Sequence, residues 1–416
     1  MLIAIAGCGI AGLASALLLT RDGHRVVLIE RFETPRPLGS GLIIQPTGLA
    51  VLKQLGLDAA TIAAGSRIDR LFGKAIPSGK TVLDVRYAAL KGEHCGIGIH
   101  RASLFGFLYE AVRDAGITIE TGRTVVGAPM QDDGRRRVLF SDGCSDGPFD
   151  LVIDTLGTSS PLAPPTGREL AYGALWASLP WPTHGGFDSH ALEQRYVRAS
   201  KMTGVLPIGT PPGASQPQAA FFWSLRADRL TAWRAEGLES WKEDVQRLWP
   251  ETSTLLETIT TPEQLTFARY AHRTLAQPVA DRLVHIGDAW HSTSPQLGQG
   301  ANMALLDACA LATALRLHKN VNEATAEAIA LRHRHVQIYQ AMSVLFTPVY
   351  QSDSATLPFL RDWVAGPLSR LWPAPALLAM IVTGLIGAPL RSLNLQASRA
   401  ELSLSSSSST RPAGMA

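Results

Sequence analysis

The sequence predicts an α/β fold with three parts: a discontinuous, doubly wound domain, a β-rich insertion and a helical C-terminal segment. Three observations predict it. Leu2 to Ile29 reads as strand, glycine-rich turn, helix and second strand, a compact βαβ unit. The same strand-then-helix texture returns between Leu283 and Leu317. Between them, from Tyr172 to about Tyr270, short aromatic-rich strands alternate with loops such as Pro211-Pro212-Gly213.

Along the chain, the apolar run Leu2 to Ala6 meets Gly7-Cys8-Gly9-Ile10-Ala11-Gly12, and a helix then runs to Asp22 and stops at Gly23. Arg25-Val26-Val27-Leu28-Ile29 forms the β-branched second strand. Residues 39–57 carry turn glycines and a short helix around Leu49-Ala50-Val51-Leu52. Ser103 reads as the N-cap of a helix with apolar positions Leu104, Phe107, Leu108 and Ala111, closed by Gly116. Ile117 to Thr121, Thr124 to Ala128, Arg137 to Phe140 and Phe149 to Asp154 read as strands, with Asp132-Asp133-Gly134 and Ser141-Asp142-Gly143 as turns.

A proline-rich break at 161–166 precedes the insertion. There Leu175 to Leu179 and Phe221 to Leu225 are strands, and Trp241, Val245 and Leu248 mark a helix that Pro250 ends. Leu283 to Gly287 is a strand, Ala301 to Leu317 a helix, and helices continue to about Ser343. Phe359 to Leu390 is apolar with proline breaks. The division that follows is 1–170 (with a small internal β segment), the insertion 171–270, a return to the first domain over 271–345, a helical segment 346–400, and a low-complexity, disordered tail 401–416.

Composition sets further bounds. The 416 residues are 46% hydrophobic and 18% charged, enough to bury a sizeable core in two or three packed units. A net charge of +3, with no basic run interleaved with aromatics, gives nucleic acid no footprint. Cys8, Cys95, Cys144 and Cys309 lie far apart, without a C-x-x-C pair or a zinc-ligand pattern, which fits a reducing, cytoplasmic setting and no metal. Ile5-Ala6-Gly7-Cys8 looks like a lipoprotein processing box, but no Lys or Arg precedes Arg21, so a signal peptide is not expected.

The chemistry begins at the glycines. A tight turn at Gly7, close backbone approach to a pyrophosphate at Gly9 and helix-on-strand packing at Gly12 make a Rossmann-like dinucleotide site, with Ile10 and Ala11 at the helix start. Glu30 ends the second strand, where a carboxylate can accept hydrogen bonds from an adenosine ribose, and Arg31 follows it. A glycine-rich turn of an ordinary α/β protein is the bland alternative.

Residues 287–308 read GDAWHSTSPQLGQGANMALLDA. Together with the N-terminal unit, this segment resembles the FAD-dependent monooxygenases of the para-hydroxybenzoate hydroxylase type, over most of residues 1–345. The resemblance implies that Asp288 holds the flavin ribityl chain and that Pro295 sits near the reactive face of the isoalloxazine. It also implies that Gly298-Gln299-Gly300 presents amides to its N1–C2=O edge. Reduced flavin is negative at that edge, and the helix that starts at Ala301 and Asn302 supplies a favourable dipole. Arg101 resembles the family's arginine toward the ribityl and phosphate region, and Gly39-Ser40-Gly41 with Gln45-Pro46 resembles the segment along the flavin. FAD is therefore the expected cofactor, Gly41 and Arg101 lie in its site, and NAD(P)H is a candidate electron donor.

One position departs from the pattern. After the strand ending at Ile153, the family carries Gly-Ala-Asp-Gly with a serine and an arginine beyond. This chain has Asp154-Thr155-Leu156-Gly157, then Ser160 and Ala163. Leu156 replaces an acidic residue that the family associates with FAD contacts and NAD(P)H use, so direct reduction by a nicotinamide is the doubtful step.

The implied function is hydroxylation of a small aromatic substrate through a flavin C4a-hydroperoxide, with Pro295, Gly298 and Gln299 at the reacting edge. An FAD-dependent oxidase or dehydrogenase stays open, as does a flavoprotein that acts on a partner protein or is fed by an external reductase. Tyr172, Trp176, Phe222, Trp223, Tyr270 and Trp290 are candidate substrate-wall residues, each also a candidate for plain core. His291 reads as structural, and His333 and His335, two apart on a helix, as a solvated face. The run Leu377 to Leu390 is too short and broken to span a bilayer; it packs on the protein's own body or lies peripherally on a membrane or partner.

Overall fold

The computed structural model describes residues 1–36, 39–184 and 186–396; the tail expected to be disordered lies outside them. The first domain is a six-stranded sheet in the order Val279–Ala280, Leu283–His285, Leu151–Asp154, Leu2–Ala6, Arg25–Ile29, Thr118–Glu120. Four of its five pairings are parallel, the edge pair Val279–Ala280 with Leu283–His285 being antiparallel, and both faces are covered. Strand alternation decides what each face touches. Ile3, Ile5, Leu28, Leu151 and Ile153 point to the helices Ile10–Arg21 and Gly300–Leu317. Ala4, Ala6, Ile29 and Val152 point to a small meander, Val125–Gly127, Arg136–Phe140 and Ser145–Phe149.

Phe149 to Asp154, read as one strand, is two. The side chain of Asp150 accepts from the amide of Leu2 at 2.8 Å and breaks the run, so residues before it serve the meander and those after it the parallel sheet. The helix Gly300–Leu317 is long and apolar enough to cross a membrane, yet it is 72% buried, sandwiched between the first helix and the 30-residue helix Val321–Tyr350.

The insertion carries a seven-stranded sheet, in the order Thr266–Ala268, Tyr172–Pro180, Gln218–Arg226, Lys201–Pro207, Ala191–Val197, Arg70–Ala75, Thr81–Arg86. Its last two strands come from residues that the sequence division left in the first part. Arg70–Ala75 joins in parallel to Ala191–Val197, a pairing more than a hundred residues apart that no local pattern announces. One face packs on the helix Leu238–Leu248 through Trp241, Val245 and Leu248. The opposite face meets a three-stranded sheet, Gly41–Ile44, Gly96–His100 and Ser66–Ile68, and the helix Ala374–Val382.

That last helix packs much of 377–390 on the protein's own body, the first of the two arrangements expected for it. Ala379, Ile381, Val382 and Leu390 are buried against the body, and only Leu377 and Met380 among its large apolar residues are exposed. The solvated face expected for His335 is corrected: the residue is buried, and its Nε2 lies 3.0 Å from the carbonyl of Gly384. The C-terminal segment covers the face of the long helix that the sequence left to solvent.

Candidate active site

At the glycine turn, Gly7 has φ +109°, and a Cβ there would fall 2.7 Å from the carbonyl oxygen of Thr155. A Cβ on Gly12 would lie 2.0 Å from the carbonyl oxygen of Gly7. Both positions exclude any side chain. Gly9 differs, because a Cβ there meets nothing within 4 Å and opens onto free space. Thr155 fastens the turn by donating its hydroxyl to the carbonyls of Ala6 and Gly7 at 2.8 and 2.9 Å. The first helical amide bonded within the helix is Leu13, to Gly9; the amides of Ile10, Ala11 and Gly12 have no backbone acceptor among the described residues. They form the anion-facing end of the helix.

Glu30 grips the same turn. Its carboxylate accepts from the amides of Cys8 at 3.0 Å and Phe32 at 3.1 Å, and its remaining lone pairs are available to a ribose. Arg31 is exposed and lies over the ring of Phe32. The Cys8 thiol, raised by burial and by Glu30 to about 12, is inert.

The Gly287 segment forms the second edge. Gly287 turns at φ +59°, Asp288 is exposed at the start of a short helix, and Ala289, Trp290 and His291 turn inward. Asp307 holds this loop from behind. It accepts from the Gly287 amide at 2.9 Å, faces His291 Nε2 at 2.6 Å, and pairs with Arg332 at 2.8 Å. Burial would raise this carboxyl, but His291 and Arg332 outweigh it and hold it at about 2. Trp290 sits in a core cluster with Met303, Val336 and Tyr339. Trp290, a candidate wall residue from sequence, is thus placed in the core.

Pro295 is exposed, Gly298 turns at φ +61°, and the helix follows from Gly300. Met303 is the first amide bonded back, to Gln299, so Gly300, Ala301 and Asn302 leave amides without a backbone acceptor among the described residues. The Gln299 side chain is buried and donates to the carbonyl of Val382 at 2.6 Å. What Gln299 brings to the site is its backbone. The Asn302 side chain is likewise engaged inside the protein: it accepts from the Gln45 amide at 2.8 Å and donates to the carbonyls of Ile43 and Gly298.

Arg101 begins the helix Arg101–Asp114, and the cap is His100, whose Nδ1 accepts from the Ala102 amide at 3.0 Å. Ser103, expected as the cap, is buried inside the first turn. Gly39 lies against the Arg101 side chain. A Cβ on Gly41 would meet Ile208 and Ala220 at 2.5 and 2.7 Å, so that glycine lets the strand pack against the insertion's sheet.

On the insertion, the pleat sorts the aromatic candidates. Trp223 packs behind the sheet with Trp241 and Phe221, away from the first domain, and is corrected to core. Trp176 and Phe222 share the front face, with ring centroids 4.8 Å apart, and Trp176 Nε1 donates to the Tyr270 hydroxyl at 2.9 Å. Tyr172 is buried and donates to Asp353. The sequence reading missed Ser178, whose hydroxyl lies 2.7 Å from that of Ser40 and 3.1 Å from His100 Nε2. It also missed Thr155, Asp307 and Arg332; alternation within Tyr172–Pro180 was the one available signal for Ser178.

At the departure from the pattern, Leu156 is half-buried against the meander's core. The neighbouring Asp154 is fully buried, bonded to the Ser160 hydroxyl and His285 at 2.6 Å each and to the Leu156 amide at 3.0 Å.

Two helix N-termini thus offer amides with no backbone acceptor among the described residues, and a Cβ on Gly9, Gly298 or Gly300 would project into open space. This is a cradle for a long anionic cofactor with a second, electron-accepting edge, and FAD fits it. The FAD binding domain family model matches residues 1–150 and 166–332. The chain is 25% identical over 335 residues to 6-hydroxynicotinate 3-monooxygenase of Pseudomonas fluorescens, covering 76% of this chain and 82% of that protein. It is 28% identical over 371 residues to 6-methylpretetramide 4-monooxygenase of Streptomyces rimosus, covering 83% and 84%. The solved structure of 2-methyl-3-hydroxypyridine-5-carboxylic acid oxygenase superposes with a TM-score of 0.74 at 19% identity, over 94% of this chain and 97% of that one, and so shares the fold.

Proposed function

The chain belongs to the FAD binding domain family, the flavoprotein monooxygenases of the para-hydroxybenzoate hydroxylase type, and from that premise we propose that it hydroxylates a small, electron-rich aromatic or heteroaromatic ring. The observation that carries this reading is the pair of open helix N-termini, at Gly9–Gly12 and Gly298–Asn302. FAD, when bound and reduced, supplies oxygen activation and the transfer of one oxygen atom. The protein's part is placement. The Gly7–Gly12 turn and Glu30 receive the adenosine diphosphate end, Asp288 and Arg101 the ribityl region, and the amides after Pro295 the flavin edge that becomes negative on reduction.

Trp176 and Phe222, with the Tyr270 hydroxyl beside them, form the wall that orients a flat ring and excludes water. The relatives' names, a hydroxynicotinate and a hydroxypyridine carboxylic acid among them, support a ring activated by hydroxyl. A cytoplasmic setting is part of the same reading, supported by four unpaired thiols.

Leu156 favours a second reading of the electron supply, in which reducing equivalents come from a separate reductase, or from the substrate itself, rather than from NAD(P)H at this site. The test uses the yellow holoenzyme under anaerobic conditions. Bleaching by NADH or NADPH, accelerated by a hydroxylated ring, supports self-sufficient hydroxylation. Bleaching by the ring compound alone identifies an oxidase, and bleaching only after addition of a reductase identifies an external donor. On readmission of labelled dioxygen, one labelled atom in the product is required; label found only in peroxide overturns monooxygenation.

A further inference from the structure

Fourteen large apolar side chains are exposed among the described residues, and eleven of them fall between Val344 and Met380. Such residues are ordinarily scattered singly over a soluble surface, so this concentration marks a contact face. Trp372 is 90% exposed, Leu371 61% and Trp363 59%. The segment is firmly seated beneath. Arg361 is buried, reaches the carbonyl of Val349 and lies over the rings of Tyr196 and Tyr350, while Ala379 and Val382 pack into the core beside the insertion's sheet. The exposed side chains are therefore the outer side of an anchored element.

Its C-terminal half carries charge of one sign. From Trp363 to Gln396 the sequence has no Asp or Glu, and it has Arg370 and Arg391. Lys80 reaches over the Trp363 ring from the neighbouring turn. The two carboxylates that precede it in the segment, Asp353 and Asp362, are paired with Arg226 and Arg361.

We propose that this face rests on an anionic lipid bilayer surface. Tryptophan rings suit the headgroup level, the leucines and valines the acyl boundary, and Arg370 and Lys80 the anionic headgroups. A second copy packed through the same face would bring those cations together without carboxylates between them. Residues 397–416, ASRAELSLSSSSSTRPAGMA, are serine-rich and offer little apolar complement.

Vesicle flotation of the FAD-loaded full chain tests it. The protein should float with phosphatidylcholine vesicles that contain phosphatidylglycerol, less with phosphatidylcholine alone, and less as salt rises. The double variant Leu371→Ser, Trp372→Ser should lower the bound fraction about tenfold, with flavin content and turnover of a soluble ring substrate unchanged. Arg370→Glu should remove the preference for the anionic vesicles. Failure to float with either vesicle overturns the proposal, as does flotation that the double variant leaves intact. If sedimentation velocity shows a dimer that the double variant converts to monomer, without flotation of either, the face belongs to a second copy and the lipid assignment falls.

Discussion

Gly9 and Gly12 stand three residues apart in one turn, and a methyl group added at each does a different thing. At Gly12 the methyl carbon would lie 2.0 Å from a backbone oxygen that cannot move without opening the turn. Gly12→Ala should therefore destabilise the apoprotein by about 1–3 kcal/mol and release FAD. At Gly9 the backbone is at φ −77°, ψ −178°, open to any residue, and the methyl meets no protein atom. Gly9→Ala should leave the apoprotein melting temperature unchanged and still weaken FAD at least about tenfold, because the methyl occupies the pyrophosphate's place. Differential scanning fluorimetry of the apoproteins, beside flavin titration, separates the two. Equal FAD affinity in wild type and Gly9→Ala would sink the cradle assignment. These glycines were legible in the sequence because backbone geometry at Gly7 and Gly12 admits no other residue. Thr155, which ties the same turn from the far side, was not: a threonine after a strand has no signature until the sheet brings residue 155 beside residue 6.

Strands and helices show a different limit. The strand Gln218–Arg226 is apolar on both faces, so its period of two reveals alternation without revealing which side faces the cofactor. Phe221 and Trp223 point to the helix Leu238–Leu248, while Ala220 packs toward Ile43 and the helix Ala374–Val382, and Phe222 packs with Ala75, Tyr196 and Met202 on that same side of the sheet. Trp223→Ala should cost about 3–5 kcal/mol of stability and leave KM within about twofold. Trp176→Ala should cost less stability and raise KM about tenfold. Steady-state kinetics beside urea unfolding decides it, and a reversed pattern would exchange the two faces.

The long helix carries a pH dependence that its sequence hides. Burial first, then the Arg332 guanidinium, push the His335 pKa from the usual 6.5 down to about 3. Below about pH 6.5 the unfolded chain takes up a proton that the folded chain refuses. Stability is thus retained above that pH and falls toward about pH 3, by up to about 1.4 kcal/mol per unit. His335→Gln, which keeps a donor for the Gly384 carbonyl, should flatten that slope in denaturant unfolding between about pH 7 and about pH 5. Identical slopes would mean that His335 charges freely in the folded protein.

At the scale of the molecule, the discontinuous domain was legible because its two halves share one texture. The joints between distant parts were not. Strand Arg70–Ala75 finds its parallel partner in Ala191–Val197, and the C-terminal segment closes over three elements at once. The carbonyl of Val382 accepts from Gln299, that of Ile381 from Tyr339, and that of Gly384 lies against His335. Each of these side chains is buried, so a chain ended at Pro373 would lose three buried hydrogen bonds, at about 0.5–1.5 kcal/mol apiece. It would also bare the apolar surface now under Ala379, Ile381 and Val382. The sum approaches the whole stability of an ordinary domain, about 5–15 kcal/mol. A chain ended at Gln396 keeps all of these contacts. Expression of both truncations should give a yellow, folded protein from the longer and aggregated or flavin-free protein from the shorter. A soluble, FAD-replete protein ending at Pro373 would show that the loop carrying Gln299 holds its place without the C-terminal segment.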